Sequence, residues 1–281
     1  MTYSELMAEG VRELTAAGFE DARTDVRLLL FHVCGMDFMT FLRDGELSVP
    51  TETEVCFREI LERRKAHVPV QYLTGEQEFC GLRLHVQPGV LIPRPETELL
   101  AEAVFTASAG KRVLDMCTGS GCIAVTVAKL GAAALTATSD YSGEALAVAK
   151  KNAELQDADV TFFQGDLFEN VDGMYDIIVS NPPYIRSSVV DELMPEVREF
   201  EPRLALDGTE DGLLFYRRIA ADAKRYLVPG GRLMFEIGHD QGETVPDILC
   251  AEGYTSVELK KDYAGLDRMV FAVWPGDNKE I

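Results

Sequence analysis

From residue 1 to about residue 74 the apolar side chains recur at helical spacing. Val26, Leu29, Leu30 and Val33 fall at i, i+3, i+4 and i+7 and so share one helix face. Thr51-Glu52-Thr53-Glu54 has the form of a capping box, which predicts a helix from there through about Lys65. The period changes at Glu78. Phe79, Leu82, Leu84 and Val86 flank the turn residues Cys80-Gly81, and Pro88-Gly89 marks a second turn, so Glu78 to Ile92 is predicted to be a β-hairpin joining two domains. From about Arg112 strand-like and helix-like patterns alternate. Strands are predicted at Arg112 to Met116, Leu135 to Ser139, Val160 to Gln164, Asp176 to Ser180 and Arg232 to Ile237, the pattern of a doubly wound, mostly parallel α/β sheet. Ser256 to Lys260 and Arg268 to Trp274 have no helix between them and are predicted to pair antiparallel, as a C-terminal hairpin at the sheet's end. The expected organisation is a small helical domain over 1–74, a hairpin linker over 75–93 and an α/β domain over 94–281.

Composition narrows the function classes. A chain of 281 residues, 47% of them hydrophobic, suffices for a catalytic domain with a smaller companion. The formal net charge of −20 repels a phosphate backbone, so no direct nucleic-acid partner is expected; the same acidity also keeps a protein soluble. The six cysteines form no C-x-x-C pair and have no histidine at zinc-finger spacing, so no metal site is expected. The N-terminus lacks a basic region followed by an apolar one, and no apolar run is long enough to cross a bilayer. A soluble, cytoplasmic, reduced protein with no membrane partner is the expectation.

The chemistry is concentrated at predicted strand ends, where open α/β sheets bind ligands. Asn181-Pro182-Pro183-Tyr184 follows the apolar run Tyr175 to Ser180. Its prolines fix φ and remove two backbone donors, which leaves a rigid loop rich in acceptors. The Asn181 side-chain oxygen and the Pro182 carbonyl suit both hydrogens of a planar NH2 group, with Tyr184 as a flat wall. Val113 to Ala124 reads as a strand, a glycine turn and a helix start, and Asp140 closes the next strand where an acid would hold a ribose diol. Gly119-x-Gly121-x-x-Ala124 with Asp140 also fits a dinucleotide fingerprint. Asp115 before the turn favours S-adenosylmethionine, because a carboxylate suits the methionyl amino group and suits a pyrophosphate poorly. At the end of the third strand, Asp166 suits the adenine amino group and Phe168 suits the ring face.

Together these blocks resemble the class I S-adenosylmethionine methyltransferases, which have a Rossmann-like fold. Gln71 to Glu76, Leu91 to Glu98, Glu201 to Leu206 and Phe235 to Gly238 narrow the resemblance to the release-factor glutamine methyltransferases. It covers almost the whole chain. The resemblance implies methyl transfer, with S-adenosyl-L-homocysteine as product, to the side-chain amide nitrogen of the glutamine in the Gly-Gly-Gln motif of class 1 peptide chain release factors. It places the cofactor against Thr118, Gly119, Ser120, Gly121, Asp140 and Phe168, with Asp115, Cys117, Asp166 and Asn181 completing that set. Asn181, Pro182, Pro183 and Tyr184 would meet the glutamine, and the helical domain would recognise the protein substrate. Cys117 stands where the wider superfamily has a first glycine, so the turn is expected to take a conformation that a side chain tolerates. Phe168 stands where some family members have tryptophan. Arg94, Glu236 and His239 are further candidates, for loop positioning, pocket lining and a base. Two competing readings are an adenine-N6 methyltransferase acting on DNA or RNA and a nonenzymatic cofactor-binding adaptor.

Overall fold

The computed structural model describes residues 1–276, which divide into two compact units. The first comprises Met1–Glu76 together with Met194–Phe200, and the second Gln77–Leu193 with the chain from Glu201 on.

The first unit is helical, with α1 (Tyr3–Ala16), α2 (Ala22–Cys34), α3 (Phe38–Asp44), α4 (Thr51–Lys65) and α5 (Val70–Thr74). Its core is built from Leu6, Leu14, Val26, Leu29, Leu30, Phe57 and Leu61, and Val33 packs half-buried beside it. A capping box closes α1: Glu5 N–H donates to Thr2 Oγ1 and Thr2 N–H donates to Glu5 Oε2. The capping box expected at Thr51 does not form. Pro50 occupies the cap position and its carbonyl accepts from Glu54 N–H, so Thr51 is already inside the helix. The remote segment Met194–Phe200 joins this unit through buried Arg64, which donates to Asp25 at 2.8 Å and to Glu196 at 3.0 Å.

Next comes a hairpin, β1 (Glu76–Phe79) and β2 (Leu82–His85), which begins before the expected Glu78 and ends at His85, well short of Ile92, and is followed by α6 (Pro95–Ala107). Then β3 (Arg112–Met116), α7 (Cys122–Leu130), β4 (Leu135–Asp140), α8 (Gly143–Gln156), β5 (Thr161–Gln164) and β6 (Tyr175–Ser180) alternate along the chain. The helix Leu214–Ala223 leads into β7 (Leu227–Glu236), and the helix Thr244–Ala251 into β8 (Thr255–Lys261) and β9 (Asp267–Val273). The seven-stranded sheet runs β5-β4-β3-β6-β7-β9-β8. Strands β3 to β7 are parallel, and β9 pairs antiparallel with both β7 and β8.

The central strands are apolar on both faces because both faces are covered. Val113, Ile177 and Val179 pack on one side with Leu100, Val104 and Ile123, while Leu114, Met116 and Ile178 pack on the other with Tyr216 and Ile219. Strand β7 starts five residues before the expected boundary. Pro229-Gly230-Gly231 breaks the apolar alternation, and the register with β6 shifts between Tyr175 and Ile177 to accommodate it.

Asn152, fully buried on α8, ties three elements together. Its Oδ1 accepts from His85 N–H at 2.7 Å, and its Nδ2 donates to the carbonyls of His85 and Ser120, each at 2.9 Å. Replacing it strands buried backbone groups of both the hairpin and the glycine turn. Asn152→Ala is expected to lower unfolding stability by about 2–4 kcal/mol, read from urea denaturation.

Candidate active site at the carboxyl ends of the central strands

Strand order reverses about β3, whose neighbours β4 and β6 continue in opposite directions through the sheet. At that switch point lies a cavity of about 430 Å³. Its wall brings together Cys117, Thr118, Gly119 and Ser120 from the turn after β3, Asp140 from the end of β4, Asp166 after β5, and Asn181 and Pro183 after β6.

The turn is held from beneath. The Ser139 carbonyl accepts from the N–H groups of Cys117 and Thr118. Thr118 Oγ1 donates to Asp115 Oδ2 at 2.6 Å, and Ala124 N–H donates to the same oxygen at 3.2 Å. Asp115 therefore braces the turn and the start of α7, and it is not on the cavity wall as expected. Its Oδ1 is buried without a partner, and burial pushes its pKa up to about 7. Cys117 takes φ +62, the left-handed conformation that favours glycine, so this turn does not relax to suit a side chain. Burial also pushes the Cys117 thiol well above its usual range.

Gly119 and Gly121 do different work. A Cβ on Gly119 would meet nothing within 4 Å, so the residue leaves open space on the cavity wall. A Cβ on Gly121 would lie 2.9 Å from the Ala149 Cβ, so this glycine lets α8 approach the turn and does not line the cavity. Asp140 Oδ2 accepts from Gly119 N–H and Oδ1 from Ser142 N–H, both at 2.8 Å. Each oxygen keeps lone pairs for another donor. Burial raises the Asp140 pKa, and these backbone bonds counter the rise.

After β5 the expectation is half corrected. Asp166 lines the cavity and its Oδ2 accepts from Arg218, another wall residue, at 2.8 Å. Phe168 does not face the cavity; it is buried against Tyr226, with ring centroids 4.7 Å apart. Leu167 takes its place on the wall. At φ +54 the backbone turns over at Leu167, so the neighbouring Phe168 side chain goes to the core. The aromatic surfaces on the wall are instead Phe215 and Tyr141, the latter 65% exposed.

The Asn-Pro-Pro-Tyr loop is confined on several sides. Ser180 Oγ donates to the Met116 carbonyl at 2.7 Å, Gln241 Nε2 donates to the Tyr184 carbonyl at 3.2 Å, and Asn181 Nδ2 donates to Thr97 Oγ1 at 3.2 Å. Gly208 and Gly212 lie under the loop, where a Cβ on either would collide with the Tyr184 backbone. The Pro182 carbonyl accepts from no described residue. Pro182 is buried, and neither it nor Tyr184 is on the wall. Tyr184 points its hydroxyl toward Glu236 Oε1 at 3.5 Å, so its expected place as a flat wall is not what the fold gives it. Glu236 is also off the wall, and His239 is exposed away from it. Arg94 lines the cavity and pairs with buried Glu201 at 2.5 Å, and Glu201 also accepts from Ile92 N–H, which joins the segments around Pro93 and Pro202 into one side of the cavity.

A glycine facing open space beside an acid with spare acceptor capacity fits an adenosyl cofactor, with Gly119 and Asp140 as the residues that would hold its ribose end. Sheet order and site together define a class I methyltransferase. About three quarters of the chain has the fold of a methyltransferase from Pyrococcus furiosus (TM-score 0.56, 19% identity, 76% of this chain and 99% of that one). It has the same fold as the 16S rRNA N2 G1207 methyltransferase of T. Thermophilus, solved with AdoMet and guanosine (TM-score 0.52, 19% identity, 71% of this chain and 49% of that one).

The particular family is the release factor glutamine methyltransferases, to which this chain belongs. It is 44% identical to the release factor glutamine methyltransferase of Geobacter sulfurreducens, over 92% of this chain and 91% of that one. It is 41% identical to that of Clostridium acetobutylicum, over 90% and 91% respectively. Residues 5–75 match the PrmC N-terminal domain and residues 94–197 the methyltransferase small domain.

The buried Asp115 carboxyl gives a prediction in which the sign matters. Because its folded pKa lies near 7 and its ordinary value is 3.8, the folded chain keeps a proton that the unfolded chain releases between those values. Its contribution to stability therefore falls as pH rises from about 4 to about 7. Asp115→Asn removes that dependence. The stability of the variant relative to the parent should grow by at most about 1.4 kcal/mol per pH unit across this window and level off above it. Thermal midpoints measured at pH 5 and pH 8 check this, and parallel curves would contradict the placement of the charge.

Proposed function

We propose that this protein transfers a methyl group from S-adenosylmethionine to the side-chain amide nitrogen of the glutamine in the Gly-Gly-Gln motif of class 1 peptide chain release factors. The observation that carries this reading is that Asn181 shares a cavity wall with Gly119 and Asp140 while its Nδ2 is already engaged by Thr97. Its Oδ1 is thereby the atom left for a substrate.

An amide nitrogen is a weak nucleophile because its lone pair is delocalised into the carbonyl. When bound, S-adenosylmethionine supplies an electrophilic methyl on a sulfonium. Asn181 Oδ1 accepts from the substrate NH2 at the cavity wall and orients its nitrogen; the Pro182 carbonyl, which no described residue bonds, is assigned the second hydrogen although Pro182 itself lies off that wall. Those acceptors gain strength as positive charge builds on nitrogen, which is stabilisation of the transition state. Holding both reactants in one cavity supplies the proximity term. An N-alkylated, protonated amide is a strong acid, so water suffices to take the proton. Among the described residues no helix is long and apolar enough to cross a membrane. An enzyme of release factors works where translation terminates, in the cytoplasm. The adenine-N6 reading is not favoured, since a net charge of −20 opposes a nucleic-acid substrate.

The helical unit is assigned to recognition of the folded protein substrate, because the glycine turn, Asp140 and Asn181 all lie in the other unit. A chain beginning at Gln77, once circular dichroism shows it folded, should bind cofactor and methylate an intact release factor poorly. Equal efficiency of the two chains would end that assignment.

Asn181→Ala removes one of two acceptors and should cost on the order of 2–4 kcal/mol in the transition state, with cofactor affinity nearly unchanged. Methyl transfer to a release factor, followed by mass spectrometry of the Gly-Gly-Gln peptide, reads the effect. Asp140→Ala should do the reverse, weakening cofactor binding in calorimetry with a smaller effect on turnover at saturation.

A further inference from the structure

A guanidinium carries its N–H donors in a rigid plane, so fixing one of them aims the rest. Arg94 is held in this way. Its Nη2 donates to Glu201 Oε1 at 2.5 Å, and the Glu201 side chain is only 1% exposed. Glu201 Oε2 accepts from Ile92 N–H at 3.1 Å, so one buried acid grips both the guanidinium and the backbone two residues before it. Pro93 and Pro95 flank Arg94 and Pro202 follows Glu201, which fixes φ at three further positions. The Arg94 carbonyl accepts from Thr97 N–H at 3.1 Å, which ties the same segment to the start of α6.

Arg94 lines the cavity, and its remaining guanidinium donors have no partner among the described residues. The other arginine on the wall differs. Arg218 is paired there with Asp166 at 2.8 Å, and the further charged wall residues, Asp140 and Glu144, are acids. The charged donors left open on this wall are therefore those of Arg94, and they suit an anion. A glutamine side chain is neutral, and S-adenosylmethionine carries its one negative charge on the methionyl carboxylate.

We propose that Arg94 binds the methionyl carboxylate of S-adenosylmethionine, and that Glu201 is a positioning residue that holds the Arg94 guanidinium for it. This rests on the cavity being the cofactor site, with Gly119 and Asp140 at the ribose end. Glu201 cancels much of the attraction that Arg94 would exert at a distance, so what it contributes is direction at close range. A long side chain gives up rotamer freedom when it takes a ligand, and the bond to a buried acid takes that loss before the cofactor arrives. Arg94 in turn compensates a carboxylate that would otherwise be buried without a cation.

The test compares S-adenosylmethionine with its decarboxylated form, which lacks the carboxylate alone, by calorimetry on the full chain, with thermal midpoints as the check on folding. The parent protein should prefer the carboxylated form about 10- to 100-fold, the range of a hydrogen bond between charged groups. Arg94→Ala should erase that preference, weakening S-adenosylmethionine by the same factor and moving the decarboxylated form by less than about twofold. Glu201→Gln keeps an acceptor for Ile92 N–H and removes the ion pair; it should reduce the preference by up to about 10-fold, because the guanidinium is then free to swing. Since Glu201 acts through Arg94, adding Glu201→Gln to Arg94→Ala should change S-adenosylmethionine affinity by less than about twofold. Equal weakening of both forms in Arg94→Ala would signal a damaged cavity and overturn the proposal, as would unchanged affinity for S-adenosylmethionine. Tighter binding in Glu201→Gln would show the acid acting as an opposing charge and overturn its positioning role. If Asp140→Ala weakens both forms while Arg94→Ala weakens neither, the proposal falls and the cofactor site stands; if neither variant alters binding, both fall.

Discussion

The site depends on the carboxyl end of β3, the strand about which the sheet order reverses. Crossover connections of one hand place successive helices on opposite faces when the chain moves outward in opposite directions, and this leaves a crevice that no helix covers. Register then decides what meets there. Met116 lies opposite Ser139 on β4 and Ser180 on β6, so the residues that follow in each strand, Cys117, Asp140 and Asn181, emerge side by side. A slip of one residue in either pairing would turn those side chains to the other face. Ser180 on β6 and Thr138 on β4 guard against that by donating to the Met116 and Asp115 carbonyls of β3, bonds added to those of the sheet ladder.

Gathering three acids at this end has an energetic consequence. Asp115, Asp140 and Glu236 are all held above the ordinary carboxyl range, each chiefly by burial. None is neutralised by a close cation, as Arg64 is balanced by Asp25 and Glu196 in the helical unit. Asp115 and Asp140 are compensated by hydrogen bonding from backbone N–H and hydroxyl groups, which orients a carboxylate without cancelling its charge, and for Glu236 the positive charge of Arg268 also favours the ionised form. A cation there would consume the acceptor capacity that Asp140 leaves open, which the proposed function gives to a ribose. The arrangement sacrifices stability in the empty protein for directed acceptors, a common compromise at sites of chemistry.

Much of this was legible in the sequence because it follows from periodicity and chain order. Two-sided apolar runs at Val113 and Ile177, acids at strand ends and a proline-locked loop after β6 are local signals, and the family resemblance rests on contiguous blocks. The exceptions depend on single dihedrals or on contacts between distant segments. Leu167 at φ +54 turns the backbone so that Phe168 goes to the core and not to the cavity wall expected of it, and no residue type near it announces a left-handed turn. Pro50 takes the cap from Thr51 by one residue. Thr97 and Glu201 lie in blocks that carry the resemblance, but nothing in those blocks says what they touch, and their contacts reach 84 and 107 residues along the chain. Gly208 and Gly212 read as an ordinary loop until the Tyr184 backbone is found against them.

The confinement of the Asn-Pro-Pro-Tyr loop also bears on which substrates it can take. With two prolines, two glycines packed beneath it, and bonds from Gln241 and to Thr97, the loop has little freedom to close on a side chain that arrives in the wrong place. Such a site gains because its acceptors are oriented before the substrate arrives, and their entropy is already spent. The adaptation must then come from the other side. A glutamine preceded by two glycines is suited to that task, because glycine populates backbone conformations closed to other residues and lets the side chain extend into a rigid pocket. A glutamine within a helix or strand would have to break its own backbone hydrogen bonds to reach the same position. Under the proposed function, selectivity for the Gly-Gly-Gln motif would follow as much from the stiffness of this loop as from contacts to the glutamine itself.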